Sequence, residues 1–192
     1  MKKRSEADSK YTWKLEDMVA EDSQWEQMFK EASGEISEYA SYKGRLAESA
    51  DTLYACLLFD DKLSQKIERL YVYARMRSDE DTTVQRYQDM FSRAQTLSYR
   101  AAENSSFLVP EILSMDRELL EQYMAADNGI GHFKRALEII LARRDHTLSG
   151  EMEELLAQSY DATQGASQIF TMFNNADVKF PVITGENGEG IQ

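Results

Sequence analysis

Apolar residues recur at helical spacing through most of the first half of the chain. Ser23 opens a Ser-Gln-Trp-Glu sequence with capping-box spacing, which predicts a first helix from Ser23. A second helix is expected from near Ser49 to the Arg-Met-Arg-Ser-Asp-Glu-Asp run, and a third follows, with Thr82 and Gln85 at capping-box spacing. One buried stripe on the second helix is expected to comprise Leu63, Ile67, Leu70, Tyr71 and Ala74.

The third helix is expected to end at Asn104, and further helical stripes follow it. Asp116 predicts the start of a fourth helix, which ends at the Asp-Asn-Gly-Ile-Gly sequence of residues 127–131. Beyond that turn a fifth stripe contains Phe133, Leu137, Ile140 and Leu141. Leu148 is interpreted as a hydrophobic staple and Ser149 as an N-cap, and together they predict a helix that buries Leu155 and Leu156. Asp161 then predicts the cap of a final short helix.

The pattern changes at Asp177. Val178, Phe180 and Val182 alternate with other residues and precede a Gly-Glu-Asn-Gly-Glu-Gly turn, as in the first strand and loop of a β-hairpin. The returning strand is expected to be missing, so the hairpin is interpreted as truncated and the chain as a piece of a longer protein. The predicted fold is therefore an all-α, antiparallel array of six or seven helices with a truncated β-hairpin at its C-terminus.

Composition excludes several classes of function. The 192 residues are 42% hydrophobic, which is enough for one domain with a core, and carry a formal net charge of −12. Such a charge repels a phosphate backbone and argues against nucleic acid as a partner. No apolar run approaches the length of about 20 residues that a membrane span needs, and the cytoplasm is the expected location. Cys56 has apolar neighbours and is expected to be buried.

The candidates for catalysis are two histidines and several acidic clusters. Neither His132 nor His146 belongs to an H-E-x-x-H sequence, which would place two zinc-binding imidazoles one helical turn apart. Asp60 with Asp61, and Glu153 with Glu154, are interpreted as solvated charge, and His146 as a structural joint between helices. No catalytic, cofactor-binding or metal-binding residue is assigned in this chain.

Five sequence motifs, taken in order, resemble the N-terminal part of oligoendopeptidase F, a zinc metallopeptidase family. They are YTWKLEDM, ERLYVYARMRSDEDT, SFLVPEIL, RRDHTLSGEMEELLA and NNADVKFPVITGENG. The resemblance implies a helical region packed against a larger catalytic domain, which holds the zinc and hydrolyses short peptides inside a channel. It implies that this helical region forms part of the channel wall, and it places no zinc ligand in this chain.

The resemblance also implies a division of the chain. Residues 1–20 would form an N-terminal arm, residues 21–176 the helical domain of an oligoendopeptidase, and residues 177–192 the beginning of a hairpin that leads into an absent catalytic domain. The parent enzyme would use zinc and oligopeptide substrates, whereas this chain alone would be inactive and would need no cofactor. The alternative is a free-standing helical interaction module that binds a partner helix in an apolar groove.

Overall fold

The computed structural model describes residues 8, 10, 12–126, 128–142, 150–174, 178, 183–184 and 190–191. The chain divides into two compact units, residues 1–157 and residues 158–192, and each is described separately. Within the described residues the α-helices are α1 (Asp22–Glu35), α2 (Ala50–Glu80), α3 (Gln85–Ser105), α4 (Leu108–Ser114), α5 (Arg117–Met124), α6 (Lys134–Ala142) and α7 (Gly150–Met172). Short 3-10 helices cover Leu15–Asp17, Ile36–Ser41 and Ile130–Phe133.

The core of the first unit is built around the long helix α2. A turn of four residues connects α2 to α3, and the two helices pack along each other as an antiparallel pair. α1 packs on the same helix and buries Trp25 completely. Of the predicted stripe on α2, Leu63, Ile67, Leu70 and Ala74 are buried, whereas Tyr71 is half-buried with its ring against Phe91. The helical part of the predicted fold is therefore confirmed.

Two predicted helix starts, near Ser49 and at Asp116, are confirmed, and both residues cap their helices. The Ser49 side chain accepts a hydrogen bond from the Thr52 amide at the start of α2. The Asp116 carboxylate accepts bonds from the amides of Glu118 and Leu119 at the start of α5. In both cases a short polar side chain satisfies amides that have no acceptor inside the helix.

The two predicted capping boxes are wrong. Glu21 is the N-cap of α1, so Ser23 already lies in the first turn and its hydroxyl donates to the Glu21 carboxylate. Val84 is the N-cap of α3, and the preceding turn is organised by Asp81, whose carboxylate accepts bonds from Thr83. The spacing of Thr82 and Gln85 is correct for a box, but an adjacent carboxylate determines the turn.

The turn after α5 has the predicted glycine geometry. Gly129 has a φ of +92°, in the left-handed region that side chains disfavour. A Cβ at this position would lie 2.9 Å from the Tyr54 ring atom Cζ, which is too close for ordinary contact. Gly129 therefore both reverses the chain and allows α2 to approach the turn.

Helix α4 was not predicted, although it contains one of the two prolines of the chain. Pro110 is the third residue of this helix. An amide in the first helical turn has no acceptor within the helix, so a proline there removes no intrahelical hydrogen bond. The sequence around Phe107 therefore continues into a short helix instead of the expected interruption.

Helix α7 differs from the prediction in two ways. It continues without a break through Asp161, which therefore caps no separate helix. In the first unit, Leu155 and Leu156 are 65% and 54% exposed, so the prediction that they are buried is wrong. The predicted joint of His146, Leu148 and Ser149 lies outside the described residues.

Among its described residues, the second unit contains one pair of short strands, β1 (Ile183–Thr184) and β2 (Gly190–Ile191). They are antiparallel, with Ile183 opposite Ile191. The predicted truncated hairpin is not supported, because a returning segment is present and each strand has only two residues. Val178 is not in a strand, and Phe180 and Val182 lie outside the described residues.

No helix in the described part of the chain combines the length and the apolar character needed to cross a membrane.

Candidate functional site

The described residues offer little to bind a metal. Among them, no three side chains of histidine, cysteine, aspartate or glutamate lie close enough together to hold an ion. His132 is exposed on the 3-10 helix that precedes α6, and His146 lies outside the described residues. The donors that the structure describes therefore do not fit a catalytic zinc site, and no step of a reaction is assigned to them.

Cys56 belongs to the core. Its side chain is fully buried on the face of α2 that contains Leu53 and Leu63. Burial, together with the nearby carboxylates of Asp60 and Glu111, raises the pKa of the thiol to about 12. A thiol with so high a pKa holds its proton at neutral pH and is a poor nucleophile. Cys56 is therefore a packing residue, as its apolar neighbours in the sequence indicate.

Asp60 has a role that the sequence did not indicate. It lies one helical turn after Cys56 and accepts a 2.6 Å hydrogen bond from the hydroxyl of Tyr39. Burial raises the pKa of the Asp60 carboxyl, the bond from Tyr39 opposes this rise, and the charge of Asp61 adds to it. The prediction of solvated charge is consistent with the exposure of Asp61 but wrong for Asp60, which is half-buried.

A second polar cluster joins the end of α2 to the starts of α1 and α3. The Tyr73 hydroxyl donates a 2.9 Å hydrogen bond to Asp22, and Arg86 forms a 2.8 Å ion pair with the same carboxylate. Arg77 donates to the Tyr73 hydroxyl at 3.2 Å and forms an ion pair with Glu80. Most of the charged groups in the cluster are therefore paired with groups at the neighbouring helix ends. This indicates that the cluster has a structural role.

An acidic groove of about 730 Å³ lies beside α4 in the first unit. Its acidic lining residues are Glu111, Asp116, Glu151 and Glu154. Glu111 is already engaged, because its two carboxylate oxygens accept 2.8 Å bonds from the amides of Gly44 and Leu46. Glu151 and Glu154 lie in the first turns of α7, as the sequence predicted, and the side chain of Glu153 is not described.

Exposed apolar side chains are concentrated on α7 and the residue that follows it. In the second unit these are Tyr160, Ile169, Phe170, Met172 and Phe173, all more than half exposed. Ile169, Phe170 and Phe173 lie one and three positions apart, so they share one side of the helix. Large apolar patches are uncommon on the surface of a soluble protein and usually mark a contact surface. This apolar face of α7 is the strongest candidate for a functional surface in the second unit.

Comparisons with known proteins agree on one group of relatives. A family model described as Oligopeptidase F matches residues 111–180. Oligopeptidase PepF of Bacillus subtilis (strain 168) is 40% identical over 185 residues, which are 96% of this chain and 28% of that protein. The plasmid-borne oligoendopeptidase F of Lactococcus lactis subsp. cremoris is 32% identical over 192 residues, covering 100% of this chain and 32% of that protein.

A solved structure shows the same relationship. The crystal structure of oligoendopeptidase-F from Enterococcus faecium superposes with a TM-score of 0.80 at 32% identity. The match covers 89% of this chain and 33% of that chain. This chain therefore spans about a third or less of the length of the relatives that it matches.

Proposed function

We propose, from the resemblance of this chain to the N-terminal region of oligoendopeptidase F, that it is the helical N-terminal region of a peptidase that hydrolyses oligopeptides. The observation that carries the proposal is a match along nearly the whole chain to peptidases, in both sequence and fold. The order of motifs in the sequence supports the same assignment.

In this proposal the chemistry lies outside the chain. The described residues provide no set of zinc ligands, and the sequence contains no H-E-x-x-H motif. A zinc ion bound elsewhere in the peptidase would polarise the peptide carbonyl and activate water. The 192 residues alone would then be inactive, and their contribution would be structural.

The apolar face of α7 provides a surface for the rest of the peptidase. Ile169, Phe170 and Phe173 are 70%, 66% and 57% exposed, and burying such side chains stabilises an interface by about 1.5 to 3 kcal/mol each. The relatives are about three times as long as this chain, so they contain a further large region that could cover these residues. We therefore propose that α7 packs against the catalytic domain.

The proposed division of the chain is an arm at residues 1–20, a helical domain at 21–176 and a segment at 177–192 that leads into the catalytic domain. The helical domain would form part of the wall of the substrate channel, which restricts the enzyme to short peptides. We place the enzyme in the cytoplasm. Its partners would be oligopeptides and its own catalytic domain, without nucleic acid or membrane.

The exposed apolar residues also fit the alternative of a free-standing interaction module, in which α7 contacts a partner helix. A chimera distinguishes the two. The region of the Bacillus subtilis relative that matches this chain would be replaced by the chain itself, and hydrolysis of a short fluorogenic peptide measured. The peptidase proposal predicts activity that a chelator removes. A folded chimera without activity would favour the module.

A further inference from the structure

A groove on the first unit combines an apolar floor with a row of cations. It has a volume of about 440 Å³ and lies between α1 with its following 3-10 helix and the middle of α2. Met28, Phe59 and Leu63 line it with apolar surface. Lys62, Lys66 and Arg69 occupy positions four and three residues apart on α2, so they line one side of that helix.

Two of the three cations in the groove are available. Lys66 forms a 2.5 Å ion pair with Glu35. Lys62 and Arg69 are exposed and form no ion pair with any residue that the structure describes. Glu38 also lines the groove and offsets one positive charge, so the remaining charge there is positive in a chain whose formal net charge is −12. The groove therefore differs in sign from the molecule as a whole.

The spacing of the two available cations restricts the ligand. Lys62 and Arg69 are seven residues apart, which is roughly 10 Å along a helix at 1.5 Å per residue. In an extended polyproline-type peptide, side chains three residues apart lie on the same side and are separated by about 9 Å. Two acidic side chains at that spacing could reach both cations, and an apolar side chain between them could contact Met28 and Phe59, which are half-buried.

We propose that this groove binds acidic peptide segments of the pattern acidic-apolar-x-acidic, through Lys62 and Arg69 at its ends and apolar contact at its floor. The ligand is a peptide and not a nucleic acid, because the overall negative charge repels a phosphate backbone whereas a short peptide interacts mainly with the local charge. The proposal concerns binding by this chain alone and does not rest on the proposed function.

The test measures binding of acetyl-Glu-Leu-Pro-Glu-amide to the whole 192-residue chain by isothermal titration calorimetry. The matched peptide acetyl-Gln-Leu-Pro-Gln-amide has the same shape without the charges. The Lys62→Gln and Arg69→Gln double variant removes both cations, and the control double variant Arg100→Gln and Lys134→Gln removes the same charge from α3 and α6. Circular dichroism confirms that both variants are folded.

The acidic peptide is expected to bind about three- to tenfold more tightly than the amide peptide, since two exposed ion pairs contribute roughly 1 kcal/mol in total. The groove variant should lose this preference, the control variant should keep it, and added salt should weaken it. Equal binding of the two peptides, absence of saturable binding, or an unchanged preference in the groove variant would overturn the proposal. Tighter binding of a single-stranded oligonucleotide that depends on Lys62 and Arg69 would also overturn it.

Discussion

The indole Nε1 of Trp25 donates a 2.9 Å hydrogen bond to the carbonyl oxygen of Leu70, which joins α1 to α2 inside the core. Trp25 is fully buried, its ring stacks on Phe29 at 5.1 Å, and the Arg93 guanidinium lies over both rings. This one side chain therefore combines apolar burial, a hydrogen bond and a cation–π contact where the two helices meet.

Replacing Trp25 by alanine should lower the free energy of unfolding by about 3 to 5 kcal/mol, because it leaves a large cavity in the core. Trp25→Phe should lower the free energy of unfolding by less, because the phenylalanine ring keeps part of the packing. Only the indole N–H donor and one of the two fused rings are lost. Trp13 is 77% exposed, so Trp13→Ala is the matched control and should change stability by less than about 0.5 kcal/mol. Urea denaturation measures all three, and equal effects at the two positions would contradict the described packing.

The Tyr39 and Asp60 pair should give stability a specific pH dependence. Burial raises the pKa of Asp60 in the folded state above its unfolded value. The folded protein therefore keeps the proton of the Asp60 carboxyl to a higher pH than the unfolded chain does. As pH rises from the unfolded pKa of Asp60 through its folded pKa, the contribution of Asp60 to the free energy of unfolding falls. Wild type should become more stable relative to Asp60→Asn as pH is lowered from neutral into that window.

Denaturant melts between pH 7 and pH 4 test this prediction, with Glu68→Gln as a control that removes one negative charge from an exposed site on the same helix. The opposite trend, in which wild type loses stability relative to Asp60→Asn on acidification, would show that hydrogen bonding to the charged carboxylate outweighs burial. Tyr39→Phe should also cost about 1 kcal/mol at neutral pH, because it leaves Asp60 without its donor.

Gly129 and Gly131 form a matched pair of turn glycines. Gly129→Ala should destabilise the protein by about 1 to 2 kcal/mol from the left-handed backbone alone, and by more if the Tyr54 ring cannot move. Among the described residues, no heavy atom lies within 4 Å of a Cβ built on Gly131, so Gly131→Ala should be close to neutral. Thermal melts of the two variants give the comparison. A Gly129→Ala protein as stable as wild type would mean that the turn has another conformation.

The helix caps provide another paired test. Ser49→Ala should cost about 1 kcal/mol, because the Thr52 amide loses its acceptor at the start of α2. Thr82→Ala should cost much less, because Val84 is the N-cap of α3 and the Thr82 side chain caps nothing. Equal losses in the free energy of unfolding, measured by urea denaturation, would support the capping box that the sequence predicted at Thr82.

The sequence correctly predicted features that depend on neighbouring residues. It did not predict features that depend on contacts with residues far away in the chain. Ser49 caps α2 through an amide three residues away, so its role is visible in the local pattern. Asp60 resembles Asp61 in the sequence, and what separates them is Tyr39, 21 positions away in the chain. Leu155 and Leu156 have the spacing of buried residues, but a pattern identifies an apolar face without specifying what covers it.

In the proposed function, this region serves a larger peptidase through the apolar face of α7. The most direct measurement is kcat/KM for a short peptide in the chimera with the Bacillus subtilis relative, with and without Phe170→Ser and Phe173→Ser. The control carries Gln168→Ser and Thr171→Ser, which change exposed polar residues of the same helix. We predict that the phenylalanine variant loses at least about tenfold in kcat/KM and melts at a lower temperature, whereas the control matches the parent chimera. Unchanged turnover and melting in the phenylalanine variant would contradict the claim.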